Sequence, residues 1–122
     1  MKTILLAEDE AMLMDLYSTV IKKNGFEVLP ASNGLEALEI LKDKKPDLIV
    51  SDLAMPDLDG AGLLAQLRAK PETKDTPVII LTNMSDPSVI ANVTSLHADY
   101  LVKSEIKPID VVNRINELLG KK

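Results

Sequence analysis

The sequence predicts a doubly wound α/β domain: a five-stranded parallel sheet of strand order 2-1-3-4-5 in a three-layer sandwich with helices on both faces. Three observations predict it. Short apolar runs alternate with helically spaced apolar stripes about five times, and right-handed crossovers convert that alternation into a parallel sheet. Three of the runs are wholly apolar and belong in the middle of the sheet, while two mixed runs suit its edges, which selects the order. Charged and hydroxyl residues stand just past the apolar runs, at what would be one shared edge of the sheet. A chain of 122 residues has room for one core, with a radius of gyration of about 14 Å, and not for a second folded module of ordinary size. Residues 1–122 are therefore expected to form a single domain.

The first run, Ile4 to Ala7, is halted by Glu8, Asp9 and Glu10 and reads as a buried strand. Leu13, Leu16, Tyr17 and Val20 follow at helical spacing, with Gly25 just past the helix end. Phe26 to Leu29, stopped by Pro30, is the first mixed run and an edge strand. Leu35, Leu38 and Leu41 mark the second helix, Leu48 to Val50 the third strand, and Leu63, Leu64 and Leu67 the third helix. Val78 to Leu81 is the fourth strand. Asp86 is a good cap for the fourth helix, Pro87 suits its first position, and Val89, Val93 and Leu96 form its stripe. Tyr100 to Val102, before Lys103, is the second edge strand. Pro108 opens the last helix, whose stripe is Ile109, Val112, Ile115 and Leu119, and Gly120 follows its end. Tyr17 and Phe26 read as core, and Met12, Met14 and Met55 as packing residues rather than a ligand set. His97 has no second imidazole to pair with and reads as a structural residue. No internal repeat interrupts the pattern, and the one linker candidate is the tail Gly120-Lys121-Lys122.

With 14 Lys+Arg against 19 Asp+Glu, the net charge is −5, which argues against direct binding of nucleic acid or of an anionic membrane. The absence of cysteine removes disulfide, thiolate and zinc–cysteine chemistry and fits the cytoplasm. The apolar start is cut short by three acids, so no signal peptide is expected, and nothing approaches the roughly 18 apolar residues of a spanning helix. The expectation is a cytoplasmic protein without a membrane segment.

The chemistry lies where the strands end. The first strand runs into Glu8 and Asp9, the third ends at Asp52, the fourth at Thr82 and the fifth at Lys103. In a parallel sheet these carboxyl ends share one edge, at the crevice where the winding direction reverses. Three carboxylates brought together repel, and a hard divalent cation resolves the repulsion. Mg²⁺ suits one or two carboxylates plus a backbone carbonyl and keeps waters, leaving a position for a phosphate oxygen. One carboxylate could then attack phosphorus while Lys103 and the metal neutralise the equatorial oxygens and the Thr82 hydroxyl donates a hydrogen bond.

In these residues, and over essentially its whole length, the chain resembles the receiver domain of two-component response regulators. LLAEDE looks like the family's acidic pair, IVSDLAMPDLDG like its phosphoacceptor segment, IILT like its hydroxyl strand and DYLVKS like its aromatic–lysine strand. The resemblance implies a flavodoxin-like fold with Asp52 as phosphoacceptor. Asp9, Asp52 and the carbonyl of Ala54 would ligate Mg²⁺, with Mn²⁺ as a substitute, and Glu8 would act mainly through metal-bound water. Lys103 and Thr82 would contact the phosphoryl group. Phosphorylation would draw Thr82 towards the phosphate and let Tyr100 turn inward, altering the surface of helix 4, strand 5 and helix 5. The implied donor is a histidine kinase or histidine phosphotransfer protein, and the implied output is a downstream protein target, with the same surface a candidate homodimer contact. The implied activity is signalling, with self-phosphorylation from phosphodonors, rather than dedicated catalysis.

The sequence departs from the family in ways that carry expectations. Ser104 follows Lys103 where many receivers have proline, so that bond is expected trans, a cis non-proline bond costing roughly 2.5–4 kcal/mol. Asn83 follows Thr82 where the family often has a smaller residue. Ala54 and Met84 flank the phosphate position, and neither side chain can activate water, which predicts slow self-dephosphorylation. Among competing functions, a dedicated Mg²⁺ phosphohydrolase needs a second acid two residues after its nucleophile, where Ala54 stands. A flavin module of the same topology needs phosphate donors where Glu8, Asp9 and Glu10 stand. The intact Asp52, Thr82 and Lys103 argue against an interaction domain that has lost the switch.

Overall fold

A computed structural model of the protein describes residues 1–83 and 87–120. The cap expected at Asp86, the position of Met84 and the Lys121-Lys122 tail lie outside the described residues. In chain order the elements are β1 (Thr3–Ala7), α1 (Ala11–Lys23), β2 (Glu27–Ala31), α2 (Gly34–Leu41), β3 (Leu48–Asp52) and α3 (Gly60–Ala69). There follow β4 (Val78–Thr82), α4 (Pro87–Ser95), β5 (Asp99–Val102), a 3₁₀ turn (Lys103–Glu105) and α5 (Pro108–Leu118). The five strands pair in parallel in the order β2-β1-β3-β4-β5, the flavodoxin-like arrangement expected.

Strand alternation builds two cores. Ile4, Leu6, Leu48, Val50, Ile79 and Leu81 point to the face covered by α1 and α5, where Tyr17, Ile21, Val111, Val112 and Ile115 meet them. Leu5, Ala7, Ile49, Val78 and Ile80 point the other way, against Ala37, Leu63, Leu64, Leu67 and Val93 of α2, α3 and α4. The three central strands are buried on both faces, which is why they read as continuous apolar runs. Pro87 and Pro108 open their helices, and Gly25 and Gly120 take φ of +92° and +68° just past α1 and α5.

Several boundaries and facings differ from the sequence expectation. β2 does not stop before Pro30 but runs through it to Ala31. Among the described residues its one neighbour in the sheet is β1, and an edge strand tolerates a residue with no N–H to donate on its open side. β3 and β4, by contrast, end at Asp52 and Thr82 as expected, so these two residues are held by the ladder. Leu16, Leu35 and Ile109 are exposed, because each helix is rotated to bury Tyr17 and Ile21, Ala37, or Val111 and Val112 instead. Met12 is 85% exposed and belongs to neither core, whereas Met14 and Met55 pack against the two cores as expected. The Lys103–Ser104 bond is trans.

Candidate functional site

The carboxyl ends of β1, β3 and β5 bring Glu8, Asp9, Asp52 and Lys103 together. Each of the three acids offers a carboxylate oxygen within 4.8 Å of the others. Glu8 and Asp52 are almost wholly buried and Asp9 is exposed, so the cluster opens to solvent on one side. Lys103 Nζ lies 2.9 Å from Asp52 Oδ2 and 3.3 Å from Glu8 Oε1, bridging the two buried acids. All-oxygen donors, partly buried and open on one side, fit a hard divalent cation that keeps some of its waters. Thr82 is buried at the end of β4, one residue beyond the Leu81 that pairs with Asp52. By strand alternation Thr82 lies on the face of Ile80 and of Tyr100, which is half-buried against the α2, α3 and α4 core. Glu8, Asp52 and Lys103 thus lie on the face of α1 and α5, and the hydroxyl and aromatic on the face of α4.

Electrostatics follow from burial. Burial pushes the Glu8 carboxyl up to about 7; the Glu10 N–H, donating to Oε2 at 3.1 Å, opposes this, the Asp52 charge adds to it, and Lys103 opposes it. Burial pulls Lys103 down, but its hydrogen bond to Asp52 and the charges of Asp52 and Glu8 outweigh that and hold it above its ordinary value. The folded, metal-free domain therefore keeps a proton on Glu8 at pH values where the unfolded chain has released it. That contribution to stability is fully present below about pH 4.5 and is lost as pH rises through about 7. In EDTA, wild type is expected to lose about 2 kcal/mol more than Glu8→Gln between about pH 5 and about pH 8. Urea midpoints across that range check this, and parallel profiles for the two proteins would overturn it.

The loop after Asp52 is fastened by close backbone approaches. The Gly60 N–H donates to the Leu53 carbonyl at 2.8 Å, and a Cβ on Gly60 would come within 2.4 Å of the Asp52 carbonyl oxygen. The Gly34 N–H donates to the Leu58 carbonyl at 3.0 Å, and a Cβ there would also lie 2.4 Å from that oxygen. Asp57, with φ of 68°, accepts from Asn33 Nδ2. Ala54 stands exposed on this loop.

The structure therefore brings together Glu8, Asp9, Asp52 and Lys103, sets Thr82 on the neighbouring strand end and places Tyr100 two residues before the end of β5. Asn83 and Ser104 are exposed beside the site. Sequence reasoning missed three positions. Tyr17, expected only as core, also lines a groove with Glu10, Asn83 and Lys103. Gly60 and Gly34 back the Asp52 loop; the Asp-Gly pair at 59–60 was the only signal, and it marks a turn rather than a backbone contact.

The match to known proteins is extensive. The family described as the response regulator receiver domain matches residues 4–116. "Probable transcriptional regulator ycf27" of Porphyridium aerugineum is 37% identical over 116 residues, covering 95% of this chain and 47% of that protein. The receiver domain of a signal transduction histidine kinase from Syntrophus aciditrophicus superposes with a TM-score of 0.90 at 30% identity, covering 98% of this chain and 91% of that one. The Mn²⁺-bound form of the response regulator Rcp1 superposes with a TM-score of 0.84 at 30% identity, covering 95% and 92%. Such a sheet, with acids, hydroxyl and lysine at one edge, is in this family a phosphorylation-dependent signalling domain of two-component type. The chain belongs to the response regulator receiver domain family. It spans about half the length of the curated relatives it matches. Among the described residues no helix is long and apolar enough to cross a membrane.

Proposed function

We propose that residues 1–122 form one receiver domain, in which Asp52 accepts a phosphoryl group from the phosphohistidine of a histidine kinase or histidine phosphotransfer protein. The observation that carries this reading is Lys103 Nζ at 2.9 Å from Asp52 Oδ2, beside three carboxylates within 4.8 Å of one another. Asp9, Asp52 and the Ala54 carbonyl would hold Mg²⁺, with Mn²⁺ as a substitute and Glu8 acting mainly through metal-bound water. The cation, when bound, supplies positive charge to the phosphoryl oxygens. An Asp52 carboxylate oxygen attacks phosphorus, the bond from phosphorus to the imidazole nitrogen breaks, and the imidazole leaves with that electron pair. Lys103, released from its carboxylate partner, pairs with a phosphoryl oxygen, and the Thr82 hydroxyl donates to another. Small phosphodonors serve the same nucleophile, so the domain also phosphorylates itself.

Because Thr82 lies on the face of Tyr100 and α4, its movement towards the phosphoryl group frees space into which Tyr100 turns. The α4–β5–α5 surface changes with it, and Arg114 of α5 is already ion-paired to Asp99 of β5 on that side. That surface would meet a downstream protein or a second copy of the chain. A cytoplasmic location, without direct contact to nucleic acid or membrane, accompanies this reading.

Intact mass after incubation with a small acyl phosphate tests it. A single phosphoryl adduct that needs Mg²⁺ and disappears in EDTA is expected. With Ala54 exposed two residues past Asp52 and no acid or amide there to orient water, the adduct should decay slowly, with a half-life of minutes or longer. No adduct, together with no binding of beryllium fluoride, would overturn the reading.

A further inference from the structure

Arg68 lies in the last turn of α3, and among the described residues its hydrogen bonds all go to main-chain carbonyls. Nε donates to Leu96 O at 2.7 Å and Nη2 to His97 O at 3.3 Å, both just past the end of α4. Nη1 donates to Thr76 O at 2.8 Å and Thr73 O at 3.2 Å, in the segment leading into β4. One guanidinium thus ties α3, the approach to β4 and the turn from α4 into β5.

The turn it holds needs such a partner. α4 is nine residues long and contributes no Lys or Arg to its own negative end. It closes with the His97 N–H on Thr94 O at 2.9 Å and the Ala98 N–H on Val93 O at 3.2 Å. His97 sits at φ of 59°, a left-handed conformation that is unfavourable for a residue with a side chain. That closure leaves the Leu96 and His97 carbonyls over, and these are the two that Arg68 takes. Burial lowers the pKa of the guanidinium, the charge of Asp75 opposing this, and no ion pair within 4.0 Å joins Arg68 to a carboxylate among the described residues. Lysine could not replace it, since a single ammonium has three donors and no planar fork to span four carbonyls.

We infer that Arg68 is the fixed pivot of the switch face: it anchors the carboxyl end of α4 and the turn into β5, so that a change triggered at Asp52 is confined to the first two turns of α4. Arg68 is a positioning residue, acting through the backbone it holds. The inference rests on the receiver reading proposed above, and its test separates the two.

Amide hydrogen exchange of wild type, Arg68→Ala and Arg68→Lys, each with and without Mg²⁺ and beryllium fluoride, tests it, with peptides from β1 and β3 reporting global opening. In the resting state both variants should exchange about tenfold faster over residues 93–98 while β1 and β3 keep their protection. On adding beryllium fluoride, wild type should change over residues 87–92 and not over 93–98, whereas in both variants the change should reach 93–98. Adduct formation at Asp52 should be unaltered. The inference is overturned if either variant's resting exchange over 93–98 stays within twofold of wild type, or if the rise is matched in β1 and β3. It is also overturned if beryllium fluoride binds wild type and already alters 93–98. If beryllium fluoride does not bind wild type, the receiver reading fails and takes the inference with it. Should Arg68→Ala not fold, Arg68→Lys carries every arm.

Discussion

Asp52→Asn should reduce the Mg²⁺-dependent phosphoryl adduct to less than about a hundredth of wild type while leaving the domain folded. The carboxamide matches the carboxylate in shape but has no nucleophilic oxygen of comparable basicity, so the bond to phosphorus has nothing to form from. Stability should move by only about 1 kcal/mol, because two effects oppose each other. Lys103 loses its partner at 2.9 Å but keeps Glu8 at 3.3 Å, and the crowding of three acids within 4.8 Å is relieved. A time course of intact mass with an acyl phosphate, beside a urea melt of the same samples, measures both. An adduct retained in Asp52→Asn would move the acceptor to another group of the cluster and refute the assignment. Glu8→Gln, which keeps Asp52 and Lys103, should slow the adduct rather than abolish it.

Gly60→Ala is the other substitution with a large expected effect, and it touches no reacting group. A Cβ there would lie 2.4 Å from the Asp52 carbonyl oxygen and 2.9 Å from Leu53 Cα, both backbone atoms with no rotamer to yield. Either α3 withdraws, breaking the Gly60 N–H bond to Leu53 O, or the end of β3 shifts and takes Asp52 with it. A loss of about 2–3 kcal/mol and a phosphorylation rate at least about tenfold lower are expected together. Gly62→Ala is the internal comparison. Its Cβ would meet Leu58 Cδ1 at 2.6 Å, the end of a side chain that can rotate, and alanine favours the helix by up to about 1 kcal/mol. That variant should stay within about 1 kcal/mol of wild type at an unchanged rate. Equal behaviour of the two alanines would refute the backbone argument.

The difference between these two glycines illustrates how far the sequence carries. Both stand in the same Gly-Ala-Gly and look alike in composition, yet one abuts a strand end and the other a leucine tip. The strand order and the five residues at the sheet edge were legible, since apolar runs that end in charge mark both the strands and their carboxyl ends. Family motifs in the same order then assigned roles to those residues. Less legible was the rotation of each helix: Leu16, Leu35 and Ile109 satisfy helical spacing as well as Tyr17, Ala37 and Val112 do, and only the opposing sheet decides which are buried. Pro30 was misjudged for a related reason: its run was read as an edge strand, but only the register with β1 decides that the missing N–H falls on the open side. Arg68 gave no local signal, because its four acceptors lie 5 to 29 residues away and belong to backbone that any sequence would possess. Periodicity and boundary chemistry are properties of neighbours along the chain, and so the chain alone determined the fold, the sheet edge and the acids upon it. Carbonyl clasps, backbone approaches and helix facing are properties of neighbours in space, and these only the packed structure decided.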